Sequence, residues 1–269
     1  MVNLKTSEEV ELIRNSSLLV SRTLAEIASN IRPGISTIKL DEIAGVFIQD
    51  NGGIPAFKGY RGFPGNICSS LNEAVVHGIP GKQELKEGDL VSIDCGVVMD
   101  GYYGDSAYSF MVGEGKPEVT QLMRVTKESL YKGIEQAVEG NRIGDIGFAV
   151  QEHTEGKYGY SVVRELVGHG VGKELHEEPE VPNYGKRGSG MKLKAGMVIA
   201  IEPMVNLGKR DVVQDSDGWT ILTTDKAPSA HYEHTILVST EKADILSSFK
   251  EIEEAVKNNA EIHEIEAKS

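Results

Sequence analysis

Four carboxylates and one histidine, Asp94, Asp105, His169, Glu202 and Glu233, sit in local contexts suited to metal coordination. Asp94 and Asp105 flank Asp100-Gly101, a pair that favours the tight turn of a two-residue hairpin. With that turn, residue 99 faces residue 102, Asp105 faces Gly96 and Asp94 faces Ala107. Side chains two apart along a strand share a face, so the two carboxylates become diagonal neighbours on one side of the hairpin. Held that close they repel unless a cation lies between them, and Gly96 leaves room for one. Glu202 follows the apolar run Met197 to Ile201, and Glu233 lies within Ala230 to Val238, which also has strand character. Acids embedded in apolar strands are costly to bury unless they are paired or hold a metal. His169 stands in Gly168-His169-Gly170-Val171-Gly172, where glycines permit unusual backbone angles and close approach. One imidazole with four carboxylates, net −4, balances two divalent cations, and so oxygen-rich a set suits Mn, Fe or Co better than structural zinc.

Other chemistries fail on spacing. Lys173 occupies the position where a dinucleotide-binding Gly-x-Gly-x-x-Gly run starting at Gly168 needs its last glycine. His176-Glu177-Glu178-Pro179-Glu180 has no second histidine four residues on, which removes the zinc-protease helix. Neither a Gly-x-Ser-x-Gly elbow nor a Walker loop occurs, so serine nucleophiles and nucleotide hydrolysis drop out.

The elements that must position these residues are legible in outline. Leu85 to Asp94 matches Leu193 to Glu202 at a constant offset of 108 residues, each copy a glycine turn, a strand and a carboxylate. Two copies are too few for a solenoid, so the match predicts duplicated half-domains, about 10–112 and 113–240, with pseudo-two-fold symmetry. The capping box Thr6-Ser7-Glu8-Glu9 opens a helix that runs to about Asn30, and a second helix spans Thr37 to Asp50. Residues 54–84, rich in Gly and Pro, form short strands and ordered loops carrying Phe57, Tyr60, Phe63 and His77. Helices are predicted over 118–139 and 145–156, with strands around 90–112, 197–206 and 230–238, giving an α+β class with a mainly antiparallel sheet. Residues 1–250 are expected to form one domain. The charged tail, 251–269, is expected to be a solvated, fraying helix.

With 39% hydrophobic and 26% charged residues among 269, the composition is that of a folded globular chain. A net charge of −13 disfavours broad binding to nucleic acid or an anionic membrane, which relies on Lys and Arg. No apolar run reaches signal-peptide or membrane-spanning length, so a cytoplasmic location is expected, with Cys68 and Cys95 as free, buried thiols.

The order Asp94, Asp105, His169, Glu202, Glu233 resembles the methionine aminopeptidases of the creatinase-like pita-bread fold. The likeness covers nearly the whole chain and includes Asn72 to Pro80, Gly168 to Gly172 with His176 to Pro179, Ile201 to Met204, and Asp217-Gly218-Trp219 before Glu233-His234-Thr235. Only 33 positions separate His169 from Glu202, without space for the helical insertion of type 2 enzymes, so the short bacterial type 1 form is the one resembled. Xaa-Pro peptidases share this catalytic half but carry a large additional N-terminal domain, whereas 93 residues precede Asp94 here. Non-catalytic, peptide-binding relatives have lost the ligands that are all present here.

The resemblance implies an enzyme that removes the initiator methionine from nascent proteins when the second residue is small. The attacking water would be activated by two divalent ions (Co, Mn, Fe or Zn). Glu202 would be both a ligand and a proton shuttle, and His77 and His176 would hydrogen-bond the scissile amide and the oxyanion. Phe57, Tyr60, Phe63, Cys68, Leu175 and Trp219 would wall the methionine pocket. Here the sequence departs from the better-known bacterial pattern: Phe57 and Phe63 replace Cys and Tyr of some relatives, and Gly96 replaces a hydroxyl residue. A monovalent cation, held mainly by carbonyl oxygens, is implied near Asn72, Ala74 and Ser229. The expected partners are nascent N-termini at the ribosome, met by a monomer with no stable nucleic-acid or membrane contact. His153 and His263 are expected to be surface residues in helices. His231 and His234, which flank Glu233, are expected to support the metal ligands.

Overall fold

A computed structural model describes residues 2–265. Thr6 starts helix α1 (Ser7–Asn30): its hydroxyl accepts the Glu9 N–H at 3.3 Å while the Glu9 carboxylate accepts the Thr6 N–H at 3.0 Å. This reciprocal box satisfies two donors that a helix start leaves open. Helix α2 (Thr37–Asp50) follows, capped by Ser36. Val10, Ile13, Val20, Leu24 and Ile27 form the buried stripe of α1, which lies across the long hairpin described next. That approach is close because Gly104 faces the helix; a Cβ there would stand 2.3 Å from the Ser17 nitrogen.

The hairpin strands, Leu90–Met99 and Tyr102–Val112, are joined by Asp100-Gly101, both in the left-handed region at φ 50° and 78°. Such a turn matches the twist of the strands and fixes their register. Met99 accordingly pairs with Tyr102, Gly96 with Asp105 and Asp94 with Ala107. The strand Cys68–Leu71 adds to one edge with Cys68 opposite Asp94, and Ile262–His263 adds to the other. In the second half, Val198–Ile201 lies between His234–Leu237 and Gly168–Gly170, with Glu177–Val181 beyond. Helices α3 (Pro117–Ile134) and α4 (Ile143–Gln151) belong to this half, and Gly133 of α3 faces Ile201. Both copies of the repeated segment turn on a left-handed glycine, Gly88 at φ 84° and Gly196 at 92°, before the strand that leads to the carboxylate.

Side chains of one half bond to the backbone of the other. Ser106 donates to the Glu233 carbonyl at 2.6 Å, Ser109 to His231 at 2.8 Å and Thr235 to Asp105 at 2.8 Å, while the Glu233 N–H donates to Ala107 at 2.9 Å. Segments 105–109 and 231–235 are thereby held in one alignment, which places Asp105 beside Glu233.

Several expectations change. Helix α3 stops at Ile134 instead of reaching 139, and α4 begins at Ile143 and passes into a π turn, Glu152–Gly156. The charged tail is docked, not solvated: α5 (Lys250–Asn258) buries Ile252 and Val256 as a single stripe, and Asn259 donates to the carbonyls of Ala28 and Ile31 at the end of α1. Residues 266–269 of that tail lie outside the described residues. His263 sits on a strand instead of a helix, and His153 is half-buried against Glu128 at 2.9 Å. Among the described residues no helix is long and apolar enough to cross a membrane.

Candidate metal centre

Asp94, Asp105, His169, Glu202 and Glu233 all line one cavity of about 290 Å³. The hairpin supplies the first two, the second sheet supplies His169 from the Gly168–Gly170 strand, and Glu202 and Glu233 follow or precede its strands directly. The glycines beside His169 are needed for space instead of unusual angles: a Cβ at Gly168 would lie 2.3 Å from the Ala200 carbonyl, and one at Gly170 2.4 Å from that of Glu178. His169 is thus wedged between two strands. Its Nδ1 donates to the Gly170 carbonyl at 3.0 Å, leaving the Nε2 lone pair directed to Glu202 at 3.5 Å and Asp105 at 3.8 Å. One ligand-type atom each from Asp105, His169 and Glu233 lies within 4.8 Å of the others.

These residues fit a cation. Buried oxygens of Asp94, Asp105 and Glu233 have no hydrogen-bond partner among the described residues, an arrangement that costs free energy in a folded interior unless something binds there. Burial pushes the Asp94, Asp105, Glu202 and Glu233 carboxyls up, and for all but Glu202 the neighbouring acids add to the rise. Burial also pushes His169 down to about 4, so its imidazole stays neutral and free to coordinate. Clustered acids with free lone pairs and a neutral imidazole form an oxygen-rich donor set.

The space that Gly96 leaves on this face is filled by protein and not by an ion. A Cβ at Gly96 would meet the Phe57 ring at 2.6 Å and Ala56 at 3.0 Å. Phe57 therefore stands where a side chain at 96 would project.

The same cavity is lined by Phe57, Tyr60, Phe63, Cys68, Leu175 and Trp219, and by His77 and His176. Trp219 meets Phe63 edge-on at 5.2 Å and His77 at 6.4 Å. His77 holds a left-handed backbone at φ 60°, followed by Gly78 packed directly on the Ser69 backbone. Burial and nearby His231 hold His77 down to about 4, and burial with His169 holds His176 down to about 3. Of the two histidines beside Glu233, His231 turns inward with Nε2 3.6 Å from Glu202 and no hydrogen-bond partner among the described residues. His234 turns away, bonded to Ser247 at 2.6 Å and stacked on Phe249 at 3.8 Å. Sequence reasoning missed Arg61, Val76, Leu166, Val167 and Met204, which also line the cavity. Position alone carried a signal for three of them, since Leu166 and Val167 precede the Gly168-His169 motif and Met204 follows Glu202-Pro203.

Asn72, Ala74 and Ser229 come together at a neighbouring turn. The Ser229 N–H donates to the Asn72 carbonyl at 2.9 Å, and the Asn72 amide is taken up by Asp89 and the Leu90 N–H. Cys68 and Cys95 are buried free thiols.

A model of metallopeptidase family M24 matches residues 11–240. Methionine aminopeptidase of Clostridium acetobutylicum is 48% identical over 92% of this chain and 99% of its own length. Methionine aminopeptidase 1 of Bacillus subtilis is 49% identical over the same shares. The crystal structure of the Rickettsia prowazekii methionine aminopeptidase superposes with a TM-score of 0.90 at 40% identity, covering 92% of this chain and all of that one. A Pyrococcus horikoshii prolidase, at 23% identity and a TM-score of 0.75, shares the pita-bread fold over 64% of its length. With the family model spanning both halves, and relatives near half identical over 92% of the chain, the chain belongs to metallopeptidase family M24.

Proposed function

We propose that this chain is a methionine aminopeptidase that removes the N-terminal methionine from nascent proteins and peptides whose second residue is small. One observation carries the reading: the five candidate ligands line the same cavity as the apolar set Phe57, Tyr60, Phe63, Cys68, Leu175 and Trp219. An unbranched, polarisable thioether chain suits such an aromatic-lined slot. Asp94, Asp105, His169, Glu202 and Glu233 would hold two divalent ions, Co, Mn, Fe or Zn, in an oxygen-rich set less typical of structural zinc. When bound, the ions supply Lewis-acid polarisation and lower the pKa of a water toward neutrality.

The chain's own groups do the rest. Glu202, whose carboxylate lines the cavity beside His169 and His231, would carry a proton toward the leaving nitrogen. His77 and His176, uncharged near neutral pH, each offer one N–H, to the scissile amide and to the oxygen on which charge develops. The substrates would be nascent N-termini at the ribosome, met by a cytoplasmic monomer. A Xaa-Pro peptidase reading has only the shared fold in its favour.

The test is methionine release from Met-Ala and Met-Leu peptides. The reading expects kcat/KM to favour Met-Ala by about a hundredfold, the scale of discrimination a small apolar site achieves. Equal cleavage would refute the specificity, and tight peptide binding without cleavage would make the chain a binding module.

A further inference from the structure

Tyr60 and His176, 116 residues apart in sequence, meet in the lining of the cavity. The phenol oxygen lies 2.8 Å from His176 Nδ1, with ring centroids 5.4 Å apart and planes tilted by 44°. Each partner is held by a separately built loop. Around Tyr60, a 3-10 turn (Tyr60–Gly62) is closed by backbone bonds from Tyr60 to Phe57 and from Phe63 to Tyr60, both 2.9 Å, and Arg61 takes a left-handed backbone at φ 47°. The Arg61 guanidinium sits 5.3 Å from the Tyr60 ring. Around His176, the Glu177 carboxylate accepts the Lys173 N–H at 2.8 Å and the Lys5 ammonium at 2.6 Å, and that lysine side chain is only 5% exposed. The phenol–imidazole bond joins these two loops.

A neutral imidazole has one N–H and one lone pair, so the partner of one nitrogen dictates what the other offers. Neither the Tyr60 hydroxyl nor His176 Nδ1 has another hydrogen-bond partner among the described residues. An imidazole nitrogen, whose conjugate acid has an ordinary pKa of about 6.5, is a far stronger base than a phenol oxygen, while the phenol at about 10 is the better acid. The phenol therefore donates to Nδ1, and the ring proton resides on Nε2. We propose that Tyr60 is a positioning residue that locks His176 in its Nε2–H tautomer, so that this histidine presents a hydrogen-bond donor and not an acceptor to the substrate carbonyl. The catalytic consequence rests on the aminopeptidase reading above; the tautomer does not.

The test uses the whole chain labelled with 15N-histidine, metal-free and zinc-loaded. His176 is assigned from the signals that vanish in His176→Ala. The native protein is expected to show a pyridine-type Nδ1 and a pyrrole-type Nε2. In Tyr60→Phe, which keeps the aromatic wall, the two shifts should move toward an averaged mixture. On a Met-Gly peptide the same variant should lose kcat by roughly ten- to a hundredfold, with KM changed far less. A native Nδ1–H signature, or one unchanged in Tyr60→Phe, overturns the proposal without any assay of activity. A lost tautomer with full kcat overturns its catalytic half, and His176→Ala then locates the failure. If that variant also keeps its kcat, it is the assignment of His176 in the aminopeptidase reading that fails.

Discussion

Gly96 and Phe57 show how tightly the pocket wall and the carboxylate-bearing strand are coupled. Any side chain at 96 would intrude on the Phe57 ring, which itself lines the cavity. Overpacking of this kind costs about 1–3 kcal/mol. Gly96→Ser is therefore expected to lower stability by about that amount and to lower kcat/KM for methionyl peptides. Phe57→Ala in the same chain should restore much of both, giving a positive coupling in a double-mutant cycle read by thermal melts and peptide hydrolysis. Additive effects would separate the two positions. At this scale the five candidate ligands were legible because each acid or histidine breaks an apolar or glycine-rich strand pattern. The inward turn of His231 and the outward turn of His234 were not, since alternation along a strand cannot tell which neighbours each side will meet.

Elements were legible where a local signal sets geometry. The Asp100-Gly101 turn fixed the hairpin register, and the Thr6–Glu9 box fixed the start of α1. Signals failed where the decisive partner is distant in sequence. The bonds from Ser106, Ser109 and Thr235 that align the two halves are ordinary hydroxyls in the sequence and gain their role only across the interface. The tail was misjudged for the same reason: Ile252 and Val256 are sparse on α5, yet α1 offers them a surface.

Across the whole molecule, buried ionisable groups tie stability to pH and metal. Burial holds His77, His169, His176, His231 and His234 below their ordinary 6.5, at about 3 to 4. It raises Asp94 to about 7 and Glu202 to about 8, and lifts Asp105 and Glu233 well above their ordinary values. In the metal-free chain below pH 6.5, the unfolded state binds histidine protons that the native state lacks, and the native state keeps carboxyl protons that the unfolded state has lost. The two sets act in opposite directions there. As pH rises through 6.5 the unfolded histidines lose their protons while the raised native carboxyls keep theirs, the native state binds more, and stability must fall with pH. The Tm of the stripped protein should decline from pH 6.5 to 8, and change less between pH 5 and 6.5, where the two sets oppose each other. Saturating divalent metal should remove the decline, because the ions replace those protons; a decline unaltered by metal would place the titrating acids elsewhere.

The central claim, that these five side chains hold the divalent ions on which methionine removal depends, is tested most directly by one assay. Methionine release from a Met-Gly peptide is measured after chelation, and again as Mn, Fe, Co and Zn are returned singly, with bound metal counted per chain. The account predicts no release from the stripped protein, recovery as ions fill the site, and none in Asp105→Asn at the same metal concentrations. Undiminished release from protein holding less than one ion per chain would contradict it.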